Sequence, residues 1–141
     1  MNPTCVMLRA LHTGAIERSG IVRHSLAFDL AATGLTADDI GTAAIHVPRP
    51  VRQRARARVE LRAPGHDVVY GTGQATSGPV IQVPLTPAGL SDLRQAPNGF
   101  FFVEAVLADR GNTAGGAIAL DRGLVLAISR RESRSAIRRA A

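Results

Sequence analysis

The sequence predicts an all-β protein, a single jelly-roll-like β-sandwich with one short helix around residues 86–95. Two observations support this prediction. About eight short apolar stretches are separated by turn-forming residues that recur about every ten positions, a spacing typical of sandwiches and jelly rolls. Within several stretches apolar and polar residues alternate, and a period of two belongs to a strand rather than to a helix. The 141 residues suffice for one domain with a substantial core.

The alternation is strongest in residues 51–63. The odd positions there are apolar except for Gln53, and every even position is charged. The charged residues are Arg52, Arg54, Arg56, Arg58, Glu60 and Arg62. A helix would spread them around its circumference, whereas a strand places them on one face, about 6.6 Å apart at the usual rise per residue. We therefore predict a strand with an apolar inner face and an arginine-rich outer face.

The elements before this strand follow from similar patterns. Residues 10–18 and 20–30 predict two strands joined by a turn at Ser19-Gly20, since Leu26, Phe28 and Leu30 occupy alternate positions in the second. Residues 31–41 predict a loop with one helical turn beginning at Thr36. Residues 43–47 predict a strand that ends at Pro48.

The elements after it are equally short. A turn at 63–67 leads to a strand at 68–70 that runs into Gly71-Thr-Gly73. Residues 79–85 predict another strand, and Pro84 favours a sheet edge because proline cannot donate to a neighbouring strand. Thr86 followed by Pro87 is typical of a helix start. Strands are expected at 100–107 and 120–128, with a glycine-rich loop at 109–116 between them.

Positive charge is concentrated in two segments. All 17 basic residues are arginine, and residues 49–62 and 129–141 carry formal charges of +5 and +4, which leaves −3 for the rest of the chain. The absence of lysine fits either the codon usage of a GC-rich genome or a requirement for the bidentate contacts of guanidinium groups. We assign residues 1–128 to the sandwich and 129–141 to an arginine-rich C-terminal tail.

The sequence predicts neither an enzyme nor a metal or cofactor site. The four histidines are widely separated in sequence and read as isolated, Cys5 has no second cysteine to pair with, and no G-x-S-x-G serine motif is present. Gly71-Thr-Gly73 lacks the third glycine of a phosphate loop. Asp38-Asp39 is more typical of a helix cap than of an acid–base pair. The loop at 109–112 lacks the spaced acidic ligands of a calcium site.

Neither a signal peptide nor a membrane-spanning segment is expected. Arg9 and His12 interrupt the apolar residues near the N-terminus, and Asp121 and Arg122 interrupt the longest apolar stretch. The sequence thus predicts cytoplasmic synthesis, with incorporation into a particle as one outcome, and no membrane partner.

Several motifs resemble those of DNRLRE-type, carbohydrate-binding-like jelly-roll domains of bacterial surface proteins. They are Ser25-Leu-Ala-Phe-Asp-Leu30, Val69-Tyr-Gly-Thr-Gly73, Val83-Pro-Leu-Thr-Pro-Ala-Gly-Leu-Ser-Asp-Leu93 and Gly99-Phe-Phe-Phe-Val103. The resemblance covers about residues 21–108 and consists mainly of core pattern. It implies a β-sandwich and a glycan-binding role, for which Tyr70 and the loop at 109–116 would be the candidate aromatic and calcium-binding features.

Our main functional hypothesis is a non-enzymatic subunit of a larger assembly, such as a virion or surface-type particle. Its partners would be other protein subunits or copies of itself, contacted through acidic surfaces, with no small-molecule substrate. The candidate partner-binding residues are Arg52, Arg54, Arg56, Arg58, Arg62, Arg130, Arg131, Arg134, Arg138 and Arg139.

Three other interpretations of the arginines and of the fold stay open. The arginine face could be merely solvated or could protect a sheet edge. The domain could be a carbohydrate-binding module. It could also bind nucleic acid through the arginine strand, although no aromatic residues alternate with the arginines to stack on bases.

Overall fold

The computed structural model describes residues 5–18, 21–48, 58–74, 79–96, 99–107, 120 and 122–131. In this part of the chain, nine strands form two antiparallel sheets, and one α-helix connects them. The predicted all-β sandwich is therefore confirmed. None of the helices in these ranges is long and apolar enough to cross a membrane.

The strands divide unequally between the sheets. The four-stranded sheet has the order β1–β9–β4–β7, and its strands are Cys5–Arg9, Val125–Arg130, Ile40–Pro48 and Val80–Pro84. The five-stranded sheet has the order β2–β3–β8–β5–β6, and its strands are Leu11–Arg18, Ile21–Asp29, Phe100–Leu107, Arg58–Arg62 and Val69–Gln74. Two short 3₁₀ turns, Leu30–Thr33 and Ala37–Asp39, join β3 to β4.

The strand pairs are nested as in a long hairpin rolled up on itself. β1 pairs with β9, β3 with β8, β4 with β7 and β5 with β6, all antiparallel. The pairs β4–β9 and β5–β8 then join these hairpins into two sheets. This is the strand order of a jelly roll, and β2 is an additional strand at the edge of the five-stranded sheet. The jelly-roll-like prediction is confirmed.

The core lies between the two sheets and consists mostly of aliphatic side chains. Three aromatic rings reinforce it on the side of the five-stranded sheet. The ring centroids of Tyr70 and Phe101 are 5.7 Å apart, and those of Phe28 and Phe101 are 6.5 Å apart. Burial of each large apolar side chain contributes about 1.5–3 kcal/mol to stability.

The Gly71-Thr-Gly73 motif allows the two sheets to approach closely where β6 packs against β7. A Cβ atom on Gly71 would lie 2.5 Å from the carbonyl oxygen of Pro84, and one on Gly73 would lie 2.5 Å from that of Gln82. Both distances are too short for any side chain. The motif is part of β6, so the predicted strand at 68–70 extends through it, and its glycines serve packing.

Helix α1, Pro87–Arg94, begins where the sequence predicts it. The Thr86 hydroxyl accepts a hydrogen bond from the Gly89 amide at 3.2 Å and donates one to the Val69 carbonyl at 3.1 Å. Leu93 is buried beneath the helix. At its C-terminal end, the Arg94 guanidinium donates to the carbonyls of Ile40 and Gly41 at 3.2 and 2.8 Å. These contacts fix the helix against both sheets.

Two features differ from the sequence prediction. β1 was not predicted, because none of its side chains is fully buried and its pattern is weak; its pairing with β9 holds it in place. β9 continues through Ser129 and Arg130, so the assigned boundary after residue 128 falls inside a strand. β7, by contrast, lies at a sheet edge, as Pro84 predicts.

Candidate interaction surface on the five-stranded sheet

The candidate arginines that the structure describes lie on different sheets. Arg58 and Arg62 belong to β5 in the five-stranded sheet, whereas Arg130 ends β9 in the other sheet and Arg131 follows it. The remaining candidates lie outside the described residues: Arg52, Arg54, Arg56, Arg134, Arg138 and Arg139. Within the described ranges the structure therefore does not bring the basic strand and the tail into one continuous surface.

Strand β5 has the predicted orientation over residues 58–62. Val59 and Leu61 are completely buried, Arg58 is exposed, and Glu60 and Arg62 are half-buried. However, β5 lies between β8 and β6. An edge-protecting role for these residues is therefore wrong, because they occupy the interior of a sheet.

The outer face of this sheet carries a network of ion pairs. The Arg62 Nε atom lies 2.8 Å from Glu60 Oε1, and this hydrogen bond raises the pKa of Arg62. Arg23 contacts Glu104 Oε1 at 3.4 Å and Asp67 Oδ1 at 3.7 Å. Arg62 is thus occupied within the sheet rather than free to contact a partner with its full set of donors.

Glu104 is the centre of this network and is only 7 % exposed. Besides Arg23, it accepts a hydrogen bond from the Gly65 amide at 3.2 Å. The strand register places it opposite Ser25 on β3 and Arg62 on β5. Sequence analysis did not identify Glu104, although its position as the single charged residue in the apolar stretch at 100–107 is a usable signal.

An apolar row crosses the same face beside the network. Leu11, Ala27 and Phe102 lie directly opposite one another on β2, β3 and β8. Phe102 is 51 % exposed and Phe100 is 45 % exposed, and their ring centroids are 6.0 Å apart. They point outward because their neighbour Phe101 points into the core. Exposed phenylalanine pairs are uncommon on surfaces that face only water.

A cavity of about 290 Å³ adjoins the two phenylalanines. Its lining residues are Pro64, Tyr70, Asp92, Gln95, Ala96, Phe100, Phe101 and Phe102. The Tyr70 hydroxyl donates a hydrogen bond to the Asp92 carboxylate. Burial, followed by this hydrogen bond, raises the pKa of Tyr70, so the hydroxyl remains a donor well into the alkaline range.

Tyr70 itself is only 4 % exposed. It therefore cannot serve as the open aromatic platform that the family resemblance implies for glycan binding. Phe100 and Phe102 are the exposed aromatic residues of this region instead. The other candidate from that resemblance, the loop at 109–116, lies outside the described residues.

The prediction of isolated histidines is wrong for one pair. His12 on β2 and His24 on β3 lie with Nε2 and Nδ1 3.1 Å apart, because these strands form a hairpin. Across the described ranges, no three histidine, cysteine, aspartate or glutamate side chains form a group that could hold a metal ion.

Comparisons with known proteins do not assign the chain to a family. No protein-family model matches it, and no curated protein matches it.

Proposed function

We propose that this protein is a non-enzymatic subunit that binds copies of itself through the outer face of its five-stranded sheet, as a component of a larger assembly. By outer face we mean the apolar residues Leu11, Phe100 and Phe102 together with the ion-pair network of Arg23, Glu60, Arg62, Asp67 and Glu104. The observation that supports it is the exposed pair Phe100 and Phe102.

The composition of this face suits a protein interface. Aromatic residues and arginine are enriched at such interfaces, and a few central aromatic side chains usually provide most of the binding energy. Here Phe102 lies two residues from Glu104 on β8, and Glu104 contacts Arg23, which is half-buried and held by two carboxylates. The pre-formed network reduces the ordering of side chains that binding would otherwise require.

Its charges favour a second copy of the chain as the partner. The face carries both signs, with Arg23 beside Asp67 and Arg62 beside Glu60. A two-fold related copy would offer the same groups in reversed order, which is the arrangement of an isologous dimer. Jelly rolls also occur in virus capsids. A virion or surface-type particle is the setting in which we place this contact.

Sedimentation over a range of concentrations tests the proposal. The wild type should associate, and Phe102→Ser should weaken association by roughly tenfold or more because a central anchor is lost. The matched control is Met7→Ser, which removes an equally exposed apolar side chain from β1 in the other sheet. A wild type that remains monomeric at all concentrations, or equal effects of the two variants, would contradict the proposal.

Glycan binding is the second candidate, and the same phenylalanine pair favours it. Aromatic side chains next to the Asp92 carboxylate and the Gln95 amide are chemically suited to a sugar ring. A glycan array, run with and without Ca²⁺, tests this candidate. Glycan binding that Phe100→Ser abolishes would support it, and an array without hits would dismiss it.

A further inference from the structure

We propose that the cavity between Tyr70 and Phe102 is a binding site for an arginine side chain that a neighbouring copy presents. This inference rests on the proposed function, because it names a contact that the assembly would use. The cavity is formed by the turn after β5, the C-terminal half of α1 and the start of β8.

The cavity contains a carboxylate, Asp92, that can accept hydrogen bonds from a ligand. The Tyr70 hydroxyl already donates to Asp92, and the Gln95 amide nitrogen lies 3.5 Å from the Ser91 hydroxyl. The Asp92 carboxylate is exposed and retains acceptor capacity beyond its bond to Tyr70. A guanidinium group has five donors and no acceptor, so the Asp92 carboxylate is a suitable partner for it.

The charge of Asp92 is not neutralised within the described part of the chain. None of the ion pairs there includes Asp92. Arg94 lies two residues away on the same helix, but its guanidinium donates to the carbonyls of Ile40 and Gly41. In a protein of net charge +6, the Asp92 carboxylate can receive a cation from outside the described part of the chain.

The walls and the size of the cavity point to the same ligand. Phe100 and Phe102 line the cavity, and a guanidinium group is attracted by the quadrupole of an aromatic ring and can stack on it. The volume of about 290 Å³ is at the lower limit of ligand pockets, which start at about 300 Å³. One arginine side chain fits such a volume.

The chain itself is a source of this ligand. Residues 129–141 contain five arginines and one glutamate, and the protein has no lysine at all. Arg130 and Arg131, the arginines of this segment that the structure describes, are exposed, so one copy can present such a side chain to the Asp92 cavity of another.

The test is binding of a synthetic peptide of residues 129–141 to the full chain, kept below the concentration at which the chain associates. Asp92→Asn should weaken binding by roughly tenfold, since it removes a charge-assisted contact but preserves the side-chain shape. Asp38→Asn is the matched control, because it removes an exposed carboxylate that lies outside both the cavity and the outer face. It should leave binding within about twofold, as expected for an exposed charge. A peptide with lysine in place of arginine should also bind more weakly.

Two results would overturn the inference. One is the absence of peptide binding, and the other is an equal effect of Asp92→Asn and Asp38→Asn, which would indicate general electrostatic attraction. A glycan that binds and is lost in Asp92→Asn would assign the cavity to a sugar instead.

The proposed self-association and the proposed arginine site can be tested independently of each other. Association that Phe102→Ser abolishes but Asp92→Asn leaves unchanged would reject the arginine site and keep the interface. Asp92-dependent peptide binding by a chain that stays monomeric would keep the site and reject the proposed self-association.

Discussion

Single residues determine how closely the two sheets of this molecule pack. Gly71 and Gly73 leave room for the backbone carbonyls of Pro84 and Gln82, and the buried ring of Tyr70 continues the contact toward helix α1. Neither glycine has a positive φ angle, so the requirement is one of space and not of backbone conformation. Substitutions here test the packing directly.

Gly71→Ala should destabilise the protein by about 1–3 kcal/mol, the usual cost of overpacking a core. The added methyl group would meet the Pro84 carbonyl oxygen at 2.5 Å, and backbone cannot move aside as a side chain can. The control is Gly14→Ala on β2, where nothing lies within 4 Å of the added atom. Equal denaturation midpoints for the two variants would show that β6 and β7 are not packed this closely.

Stability should fall as the pH rises above about 10, the ordinary pKa of tyrosine. The native-state pKa of Tyr70 is raised, so the unfolded chain releases the tyrosine proton before the native chain does, and ionisation then favours unfolding. The loss amounts to at most about 1.4 kcal/mol per pH unit. Tyr70 is the only tyrosine and lysine is absent, which isolates this titration.

Urea denaturation between pH 9 and 11.5 measures this effect, with Tyr70→Phe as the control. The variant should be less stable at neutral pH by about 1 kcal/mol, since it loses the hydrogen bond to Asp92. Its stability should nevertheless lack the alkaline decrease assigned to Tyr70. The same decrease of unfolding free energy with pH in both proteins would show that a group other than Tyr70 titrates.

At the scale of elements, the two ends of helix α1 are held differently. Its first turn is held by residues close to it in sequence, and its last turn by residues more than 50 positions away along the chain. Thr86 caps it and also reaches Val69, while Arg94 reaches the first residues of β4. The helix thereby connects β6, β7 and β4 and positions Asp92 at the cavity.

Thr86→Ala should cost about 1–2 kcal/mol, because it removes the N-cap of α1 together with the hydrogen bond to the Val69 carbonyl. Thr86→Ser retains the hydroxyl and should stay close to the wild type. Thermal unfolding of both variants checks this, and similar losses for Ala and Ser would show that the methyl group, not the hydroxyl, matters.

The elements that the sequence predicts well are those with a local signal. Alternation identified β3 and β5, a continuous apolar stretch identified β8, the Thr86-Pro87 pair identified α1, and Pro84 identified an edge strand. β1 has no buried residue to mark it and depends on pairing with β9, from which about 120 residues separate it along the chain. The ion pair of Arg23 and Glu104 likewise joins residues 81 positions apart. Such partners follow from strand order, which alternation does not specify.

At the scale of the whole molecule, the jelly-roll order decides which surfaces can act together. It assigns Arg58 and Arg130 to different sheets, and it brings β2, β3 and β8 side by side so that Leu11, Ala27 and Phe102 form one row. We therefore assign the interface to the outer face of the five-stranded sheet, which includes β8 and β5, and not to the arginines of β5 alone. In our proposal, an arginine of residues 129–141 binds in the Asp92 cavity of another copy.

NMR spectra of the wild type, recorded over a range of protein concentrations, examine this face residue by residue. Self-association through the outer face predicts that the amide signals of Leu11, Phe102 and Glu104 shift progressively with concentration, while those of Met7 and Val80 on the other sheet stay unchanged. Phe102→Ser should suppress these shifts. Signals that do not depend on concentration, or shifts confined to the four-stranded sheet, would contradict the proposed interface.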